Sequence, residues 1–412
     1  TFASSNGDIK FLGGDVVLAD VANITVNTSN SGDIVFGGDI LGTDGGAATD
    51  VFLRTGGTYS IKGIGFNTGG TADNNINDVT IGRDGFSEGT LTIDGNISTA
   101  VLGGSSGSAL TDLGDVDINA AVTLGGASVI DTSSSGGAVS FNNTIDGTQN
   151  LTINSGTGNV DLQGVIGGGT GIGALTVNAT SASHTGTGAI TINEIGDGGT
   201  VGAGAVNIGN VNTLDVNLTG DVYKHGAAVY TVKSDAHIDL TEGGGDIEFT
   251  LADASLEFAT GTVHLENGSN LVVNTGNAAI TAKGIIGTSY ENVTLTTTGT
   301  TTVGTGGIGT GTTIEDVSLD GTSIVLKGNI TTAGNTASDP VSVGDIDFDG
   351  AVTIDGAITI TSDVTGTTSD GKIDFATNTI NAEGNDTDSL TLLSGSGVIT
   401  VCLLYTSDAA DE

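Results

Sequence analysis

One segment, Asn150-Leu-Thr-Ile-Asn-Ser-Gly-Thr-Gly-Asn-Val-Asp-Leu-Gln-Gly-Val-Ile-Gly-Gly168, returns along the chain in degraded copies. The copies are Asn23-Ile-Thr-Val-Asn-Thr-Ser-Asn-Ser-Gly-Asp-Ile-Val-Phe-Gly-Gly-Asp-Ile-Leu-Gly42, Asn270-Leu-Val-Val-Asn-Thr-Gly-Asn-Ala-Ala-Ile-Thr-Ala-Lys-Gly-Ile-Ile-Gly287 and, cut short, Leu390-Thr-Leu-Leu-Ser-Gly-Ser-Gly-Val-Ile-Thr-Val401. Such recurrence is typical of stacked supersecondary units, each unable to bury its apolar face alone. The segment therefore predicts a solenoid.

Short stretches of alternating apolar and polar residues recur throughout the chain. Examples are Leu151/Ile153, Val160/Leu162, Leu214/Val216 and Leu271/Val273, with Thr, Asp, Asn or Ser between or around the apolar pair. A period of two predicts a strand with one buried face, and helical spacing is absent. The chain is therefore predicted to be all-β.

The distance between matching positions distinguishes a coiled β-helix from a propeller. Leu151 and Leu175 lie 24 residues apart, Leu271 and Val293 lie 22 apart, and Val293 and Val317 lie 24 apart. One turn of a parallel β-helix needs about that many residues, whereas a propeller blade needs about 40. We therefore predict a single elongated stack of roughly 17 to 20 coils, on the order of 80 to 95 Å long if coils are about 4.8 Å apart.

Phenylalanine recurs at one place within the alternating stretches. The pattern Val/Ile/Leu-x-Phe, or a close variant, ends at Phe36, Phe141, Phe249, Phe258, Phe348 and Phe375. These side chains are predicted to occupy similar positions in different coils, where some stack as an internal ladder.

The charge balance argues against two classes of partner. The formal net charge is -39, from 48 Asp and Glu against nine Lys and Arg. The basic residues are scattered singly, so no stripe exists to neutralise phosphates, and nucleic-acid or anionic-membrane binding is disfavoured. Apolar runs are far shorter than the roughly 20 residues that span a bilayer, so no membrane insertion by this segment is expected.

Both ends of the sequence indicate a fragment. It begins with Thr1 and lacks Met, and its first residues have none of the regions of a signal peptide. The tail, Cys402-Leu-Leu-Tyr-Thr-Ser-Asp-Ala-Ala-Asp-Glu412, resembles a translated sequencing adapter; the alternative is a genuine C-terminal tail. We predict a solenoid segment over 1–401, a non-native tail over 402–412, and more of the same polypeptide on both sides.

Two glycine-containing motifs suggest enzymes but are weak. Gly103-Gly-Ser-Ser-Gly107 matches a nucleophile elbow, and Gly304-Thr-Gly-Gly-Ile-Gly309 matches a dinucleotide fingerprint. With 71 glycines in 412 residues, about two chance matches to the fingerprint are expected. Both motifs are interpreted as loop glycines. Five stretches without clean alternation are predicted loops: 63–77, 101–112, 180–188, 197–204 and 333–340, the last with Pro340.

The histidines and carboxylates single out no site. His184, His225, His237 and His264 do not occur in pairs at metal-ligand spacing, so solvated or strand-face histidines are favoured over ligands. The clusters Asp115-Val-Asp117 and Asp345-Ile-Asp347-Phe-Asp349 place carboxylates on one strand face, a geometry able to hold Ca²⁺. The tandem nonapeptide of calcium-binding β-rolls is absent, which favours a solvated acidic face.

Several phrases resemble the repeat regions of very large bacterial surface proteins, the filamentous haemagglutinin-like and autotransporter adhesins. They are Asn150-Leu-Thr-Ile-Asn-Ser-Gly-Thr-Gly-Asn-Val, Ser140-Phe-Asn-Asn-Thr-Ile-Asp-Gly147 and Gly328-Asn-Ile-Thr-Thr332, and the likeness in style extends over 1–401. The resemblance implies a right-handed parallel β-helix, export across the outer membrane by a type V or similar route, and adhesion or biofilm formation. The sequence contains neither a secretion domain nor a recognised binding module.

The sequence therefore predicts a non-catalytic structural or adhesive rod segment of a secreted or surface-anchored bacterial protein. Its expected partner is a glycan or protein on a host or neighbouring cell, and no catalytic, cofactor-binding or metal-ligating residue is assigned. The alternatives are a polysaccharide lyase or hydrolase on a β-helix and a surface-layer or matrix component assembled with Ca²⁺. An ice-binding surface is a minor alternative, because Thr-x-Thr does not repeat coil after coil.

Overall fold

The computed structural model describes most of the chain as β-strands joined by short turns. The described residues are 1–19, 23–28, 31–42, 49–65, 76–83, 88–99, 114–180, 188–197, 199–311, 314–334, 343–362, 370–376, 378–384, 388–401 and 403–404. No helix occurs among them. Contacts within the chain group into two compact units, Thr1–Val216 and Asn217–Glu412.

The described part of the first unit contains twenty-one strands, and its boundary with the second falls inside a further strand, β22 (Asp215–Leu218). The strands of the first unit are β1 Phe2–Ser4, β2 Ile9–Phe11, β3 Val16–Val17, β4 Ile24–Thr28, β5 Ile34–Phe36, β6 Ile40–Leu41, β7 Thr49–Arg54, β8 Tyr59–Ile61, β9 Ile76–Ile81, β10 Thr90–Ile93, β11 Ile97–Ser98, β12 Val116–Ile118, β13 Ala121–Leu124, β14 Ser128–Asp131, β15 Val139–Phe141, β16 Ile145–Gly147, β17 Leu151–Asn154, β18 Val160–Ile166, β19 Ile172–Val177, β20 Ile190–Ile195 and β21 Ala203–Ile208.

Among its described residues, the second unit continues with eighteen strands after β22. They are β23 Val222–Tyr230, β24 His237–Leu240, β25 Asp246–Leu251, β26 Leu256–Phe258, β27 Thr262–Leu265, β28 Asn270–Asn274, β29 Ile280–Gly287, β30 Glu291–Thr296, β31 Thr300–Ile308, β32 Ile314–Leu326, β33 Ile330–Thr331, β34 Ile346–Ile354, β35 Ala357–Thr361, β36 Ile373–Asp374, β37 Thr379–Ala382, β38 Ser389–Leu393, β39 Ile399–Thr400 and β40 Leu403–Leu404.

Within each unit the strands pair in parallel with a strand of the next turn, so that like residues lie above like. One buried column of the first unit runs through Val26, Leu53, Ile81, Ile118, Phe141, Leu162 and Ile192. A column of the second unit runs through Tyr223, Phe249, Val273, Leu295, Leu319 and Phe348. Burial of each large aliphatic side chain stabilises the fold by about 1.5 to 3 kcal/mol. The predicted parallel β-solenoid is confirmed.

The spacing deduced from the sequence is the register of the sheets. Leu151 pairs with Leu175, Leu271 with Val293, and Val293 with Val317. The described residues form about 13 turns, fewer than the 17 to 20 predicted for residues 1–401. Turns differ in length, since Phe141 pairs with Leu162 only 21 residues on, whereas other turns carry inserted chain.

The alternation predicts the buried residues with few exceptions. The alternation predicts Leu214 and Val216 as a buried pair, but β22 begins at Asp215, and its buried residues are Val216 and Leu218. Phenylalanines stack locally and not as one ladder. Face-to-face pairs are Phe11 with Phe36 at 4.7 Å between ring centroids and Phe348 with Phe375 at 4.6 Å, whereas Phe141 lies between Ile118 and Leu162 in its column.

Buried hydroxyls close one corner of the solenoid. Each belongs to a Ser or Thr just after a strand and donates to a backbone carbonyl farther along the chain, at 2.6 Å for Thr99 to Gly114, Thr132 to Gly137 and Ser155 to Gly158, and at 2.7 Å for Ser362 to Gly371. A buried hydroxyl needs such a partner to offset its lost hydration. The same hydroxyl-to-carbonyl bond joins the two ends of corner segments that differ greatly in length. Residues can therefore be inserted at this corner without a change in the strand register.

Most of the predicted loops fall outside the described residues, including 101–112, Pro340 and most of 63–77 and 180–188. In 197–204, the backbone N–H groups of Gly199 and Thr200 donate to Asp197, and Ala203 already begins β21. Of the predicted tail, Leu403 and Leu404 form β40 and pair with Thr379 and Ile380 of β37; Cys402 and 405–412 lie outside the described residues. The described residues include no helix with the length and hydropathy of a membrane span.

Candidate functional site

Asn and Asp side chains near the starts of strands accept hydrogen bonds between turns. In the second unit, a backbone N–H of each turn donates to the side-chain oxygen of an Asn or Asp on the preceding turn. The bonds run from Asn292 to Asn270 at 2.8 Å, Asp316 to Asn292 at 3.0 Å, Asp345 to Asp316 at 2.7 Å and Lys372 to Asp345 at 2.9 Å. We call this series of bonds the side-chain ladder. Each Asn or Asp thus accepts a backbone N–H at or near the start of the strand on the next turn. This position explains why Asn opens the repeated segment.

The two acidic clusters considered for Ca²⁺ have protein partners. Asp115 accepts from the backbone N–H of Ala138 at 2.7 Å, and Asp117 accepts from the hydroxyl of Ser140 at 2.7 Å. Asp347 lies 2.7 Å from the ammonium of Lys372. Their carboxylate oxygens are therefore engaged in turn-to-turn contacts, the arrangement expected of a structural acidic face.

Burial and neighbouring carboxylates raise the pKa values of two aspartates on the same outer face. Burial is the main cause that raises the pKa of Asp316 above its usual value; the hydrogen bond from the backbone N–H of Asp345 opposes the rise, and the charge of the Asp345 carboxylate adds to it. Burial also raises the pKa of Asp320, with a further contribution from Asp349. Like charges stacked one turn apart favour the protonated form in this way. These shifts follow from the stacking and indicate no catalytic pair.

The fingerprint-like glycines belong to a strand and its end. Gly304 and Gly306 lie within β31, and Gly309 follows it at φ 67°. The interpretation as loop glycines is therefore wrong for Gly304 and Gly306, which allow close approach of the backbone of the preceding turn at Lys283. A dinucleotide site requires a strand followed by a helix, and no helix follows here in the described chain. The serine motif Gly103–Gly107 lies outside the described residues.

His225 is a core residue of β23. It is 1% exposed, its Nδ1 lies 2.9 Å from the carbonyl oxygen of Gly226, and its Nε2 lies 3.4 Å from the hydroxyl of Tyr230. The ring also contacts Phe249 edge-on, with centroids 6.2 Å apart. Burial lowers the pKa of His225 to about 4, so the ring is neutral near pH 7. Of the two predicted alternatives, solvated or strand-face, His225 is the second, on the buried face of β23.

The neutral His225 should make the fold weaken in mild acid. Between its ordinary pKa of 6.5 and about 4, the unfolded chain binds a proton that the folded chain excludes. The contribution of His225 to the free energy of unfolding is therefore fully present above about pH 6.5 and is lost as the pH decreases toward about 4. We expect a loss of about 2 kcal/mol between about pH 7.5 and pH 5 from this residue. Chemical denaturation at both pH values measures it.

The comparison variant is His225→Gln, which keeps a polar side chain but does not titrate. All carboxylates and other histidines are common to both proteins, so the difference in pH dependence reports His225. An equal loss of stability in both proteins between the two pH values would show that the imidazole contributes nothing.

Three side chains of the second unit form a cluster on the outer face of two adjacent turns. His237 and Asp239 lie on β24 and point to the same face because they are two residues apart. His264 lies on β27, where the register places it beside Asp239. The His237 and His264 rings stack with centroids 3.6 Å apart, and Nδ1 of His264 lies 3.7 Å from Oδ1 of Asp239. We call these residues the imidazole cluster.

The imidazole cluster presents metal-binding atoms close together. One ligand atom from each of its three side chains lies within 4.8 Å of the other two, and all three side chains are partly buried. His264 and Asp239 keep 16% and 17% of their side-chain surface exposed, so an ion can reach them from solvent. Imidazole nitrogen with a carboxylate oxygen is a donor set suited to divalent transition metals.

Sequence spacing missed the imidazole cluster because its members come from different turns. His237 and His264 are 27 residues apart, which is no local metal motif but is close to one turn of this solenoid. The strand-face prediction for them is right. Aligning the repeat units, Val263-His264 under Ile238-Asp239, would have brought them together. His184 lies outside the described residues.

The chain was compared with known proteins by family, by sequence and by structure. No family model, no curated protein and no solved structure matches it.

Proposed function

We propose that this chain is a structural or adhesive segment of a large secreted or surface-anchored bacterial protein, of the filamentous haemagglutinin-like or autotransporter-adhesin kind. Its partner is a glycan or protein on another cell surface. The segment holds a long repetitive surface in place and does not catalyse a reaction.

One observation carries the proposal: the hydrogen-bonded polar side chains described above hold the turns of the solenoid together. The side-chain ladder from Asn270 to Asp345 accepts hydrogen bonds from the backbone of neighbouring turns, and corner hydroxyls such as Thr132 and Ser155 close the corner of their own turn. A solenoid built in this way tolerates inserted segments while its strands keep register. Extended repeat surfaces of this type are used for binding.

The strands also present a regular polar face outward. Thr152 pairs with Thr176 between Leu151/Leu175 and Ile153/Val177, and Thr294 pairs with Ser318 in the second unit. Hydroxyl and carboxylate groups repeated from turn to turn suit many weak contacts with a glycan or protein. Multiple weak contacts give avidity without a single deep pocket.

A bead assay tests this function. Beads coated with residues 1–401 are expected to adhere to bacterial or epithelial cells more than beads coated with an acidic protein of similar charge. The same protein, incubated with a panel of acidic and neutral polysaccharides, is expected to release no reducing ends and no unsaturated products.

Two results would contradict the proposal. Adhesion equal to that of the charge-matched beads would remove the adhesive role. Turnover of any polysaccharide would favour the β-helix lyase or hydrolase, and mutation of the carboxylates in the responsible groove would then have to abolish it.

A further inference from the structure

We infer that the imidazole cluster, His237, Asp239 and His264, is a binding site for one divalent transition-metal ion of the Zn²⁺, Ni²⁺ or Cu²⁺ class. The ion would bridge β24 and β27, two successive turns of the second unit. This site does not depend on the adhesive function proposed above.

The chemistry of the donors favours this class of ion. Neutral imidazole and carboxylate bind Zn²⁺, Ni²⁺ and Cu²⁺, whereas Ca²⁺ and Mg²⁺ prefer oxygen ligands alone. Two histidines and one carboxylate are a common protein set for Zn²⁺, with water in the remaining position. The partial exposure of His264 and Asp239 leaves that position open to solvent.

The distances are close to those of a bound site. Ligands about 2.0 to 2.1 Å from a tetrahedral Zn²⁺ lie about 3.3 Å from one another. Nδ1 of His264 and Oδ1 of Asp239 are already 3.7 Å apart, longer than an ordinary N–H···O hydrogen bond. All three ligand atoms fit within 4.8 Å. The stacked rings of His237 and His264 must turn out of the stack for a nitrogen of each to face one ion.

The backbone holds the donors in position without the ion. His237 pairs with Thr262, and Asp239 pairs with His264, in an uninterrupted parallel register between Ile238/Val263 and Leu240/Leu265. Those apolar neighbours are buried in the core, which fixes the direction of the outward side chains. The next turn places Ile286 beside His264, a side chain that offers no ligand atom.

Calorimetric titration of the purified, metal-free chain with Zn²⁺ and Ni²⁺ tests the site. We expect one ion per chain at micromolar affinity and a rise in melting temperature on binding. His237→Gln, His264→Gln and Asp239→Asn should each weaken binding about tenfold or more. The matched control is Glu248→Gln, which removes an exposed carboxylate from β25 and should leave the affinity unchanged.

The outcomes separate a built site from general attraction to an acidic protein. Binding that survives either histidine substitution, or that Glu248→Gln weakens equally, would overturn the proposal. So would displacement of Zn²⁺ by equimolar Ca²⁺, which would indicate an oxygen site elsewhere. Circular dichroism of the metal-free variants checks that each is folded, and a variant that is folded yet binds weakly supports the assignment.

Discussion

Gly309→Ala is expected to destabilise the second unit by about 2 to 5 kcal/mol. Gly309 has φ 67°, where a side chain costs about 1 to 2 kcal/mol. A Cβ would also lie 2.0 Å from the carbonyl oxygen of Thr331 on the next turn. Relieving that overlap costs about 1 to 3 kcal/mol, because the backbone of β33 has to move. Urea denaturation followed by circular dichroism measures the loss.

Gly311→Ala is the matched control for this prediction. Gly311 has φ 77°, but a Cβ there would meet nothing within 4 Å. It should therefore lose only the backbone term of about 1 to 2 kcal/mol. If the two variants are equally stable, close stacking of the turns at Gly309 is not what requires glycine.

Phe249→Ala is expected to destabilise the second unit by about 3 to 5 kcal/mol. Phe249 is fully buried, and its ring stacks on Tyr223 at 4.9 Å and meets Phe258 edge-on at 5.6 Å. Removing the ring leaves a cavity that the rigid, paired strands on either side cannot fill. The free energy of unfolding from chemical denaturation is the measurement.

The neighbouring residue on the same strand provides the control. Glu248 pairs with Val222 and Val272 but points outward and is exposed. Glu248→Ala should change the free energy of unfolding by no more than about 0.5 kcal/mol. A loss as large as that of Phe249→Ala would mean that the alternation does not separate core from surface.

Two features of the fold can be predicted from the sequence pattern: the buried residues of a strand and the register between strands. Alternation at Leu151/Ile153 identifies a buried pair because side chains on a strand point to opposite faces with period two. Repetition of that pair at Leu175/Val177 gives the register, because parallel stacking places equivalent residues over each other. Both can be read from the sequence, the first within one strand and the second from the repeat distance between Leu151 and Leu175.

Features that depend on insertions were harder to predict. The chain between Thr99 and Gly114 adds residues to a turn but returns to the same corner through one hydroxyl bond. An average period therefore overestimates the number of turns. The start of β22 at Asp215 was also missed, since Leu214 fits the alternation equally well but lies before the strand.

The sequence by itself determined an all-β parallel solenoid, its buried columns and its acidic, polar outer face, because these depend on a period of two within strands and on repetition between them. Only the tertiary structure decided which side chains of different turns meet. It buried His225 among Tyr230 and Phe249, and it set His237 and Asp239 beside His264. The physical reason is that turn-to-turn register depends on the length of every intervening segment, and that length varies along this chain.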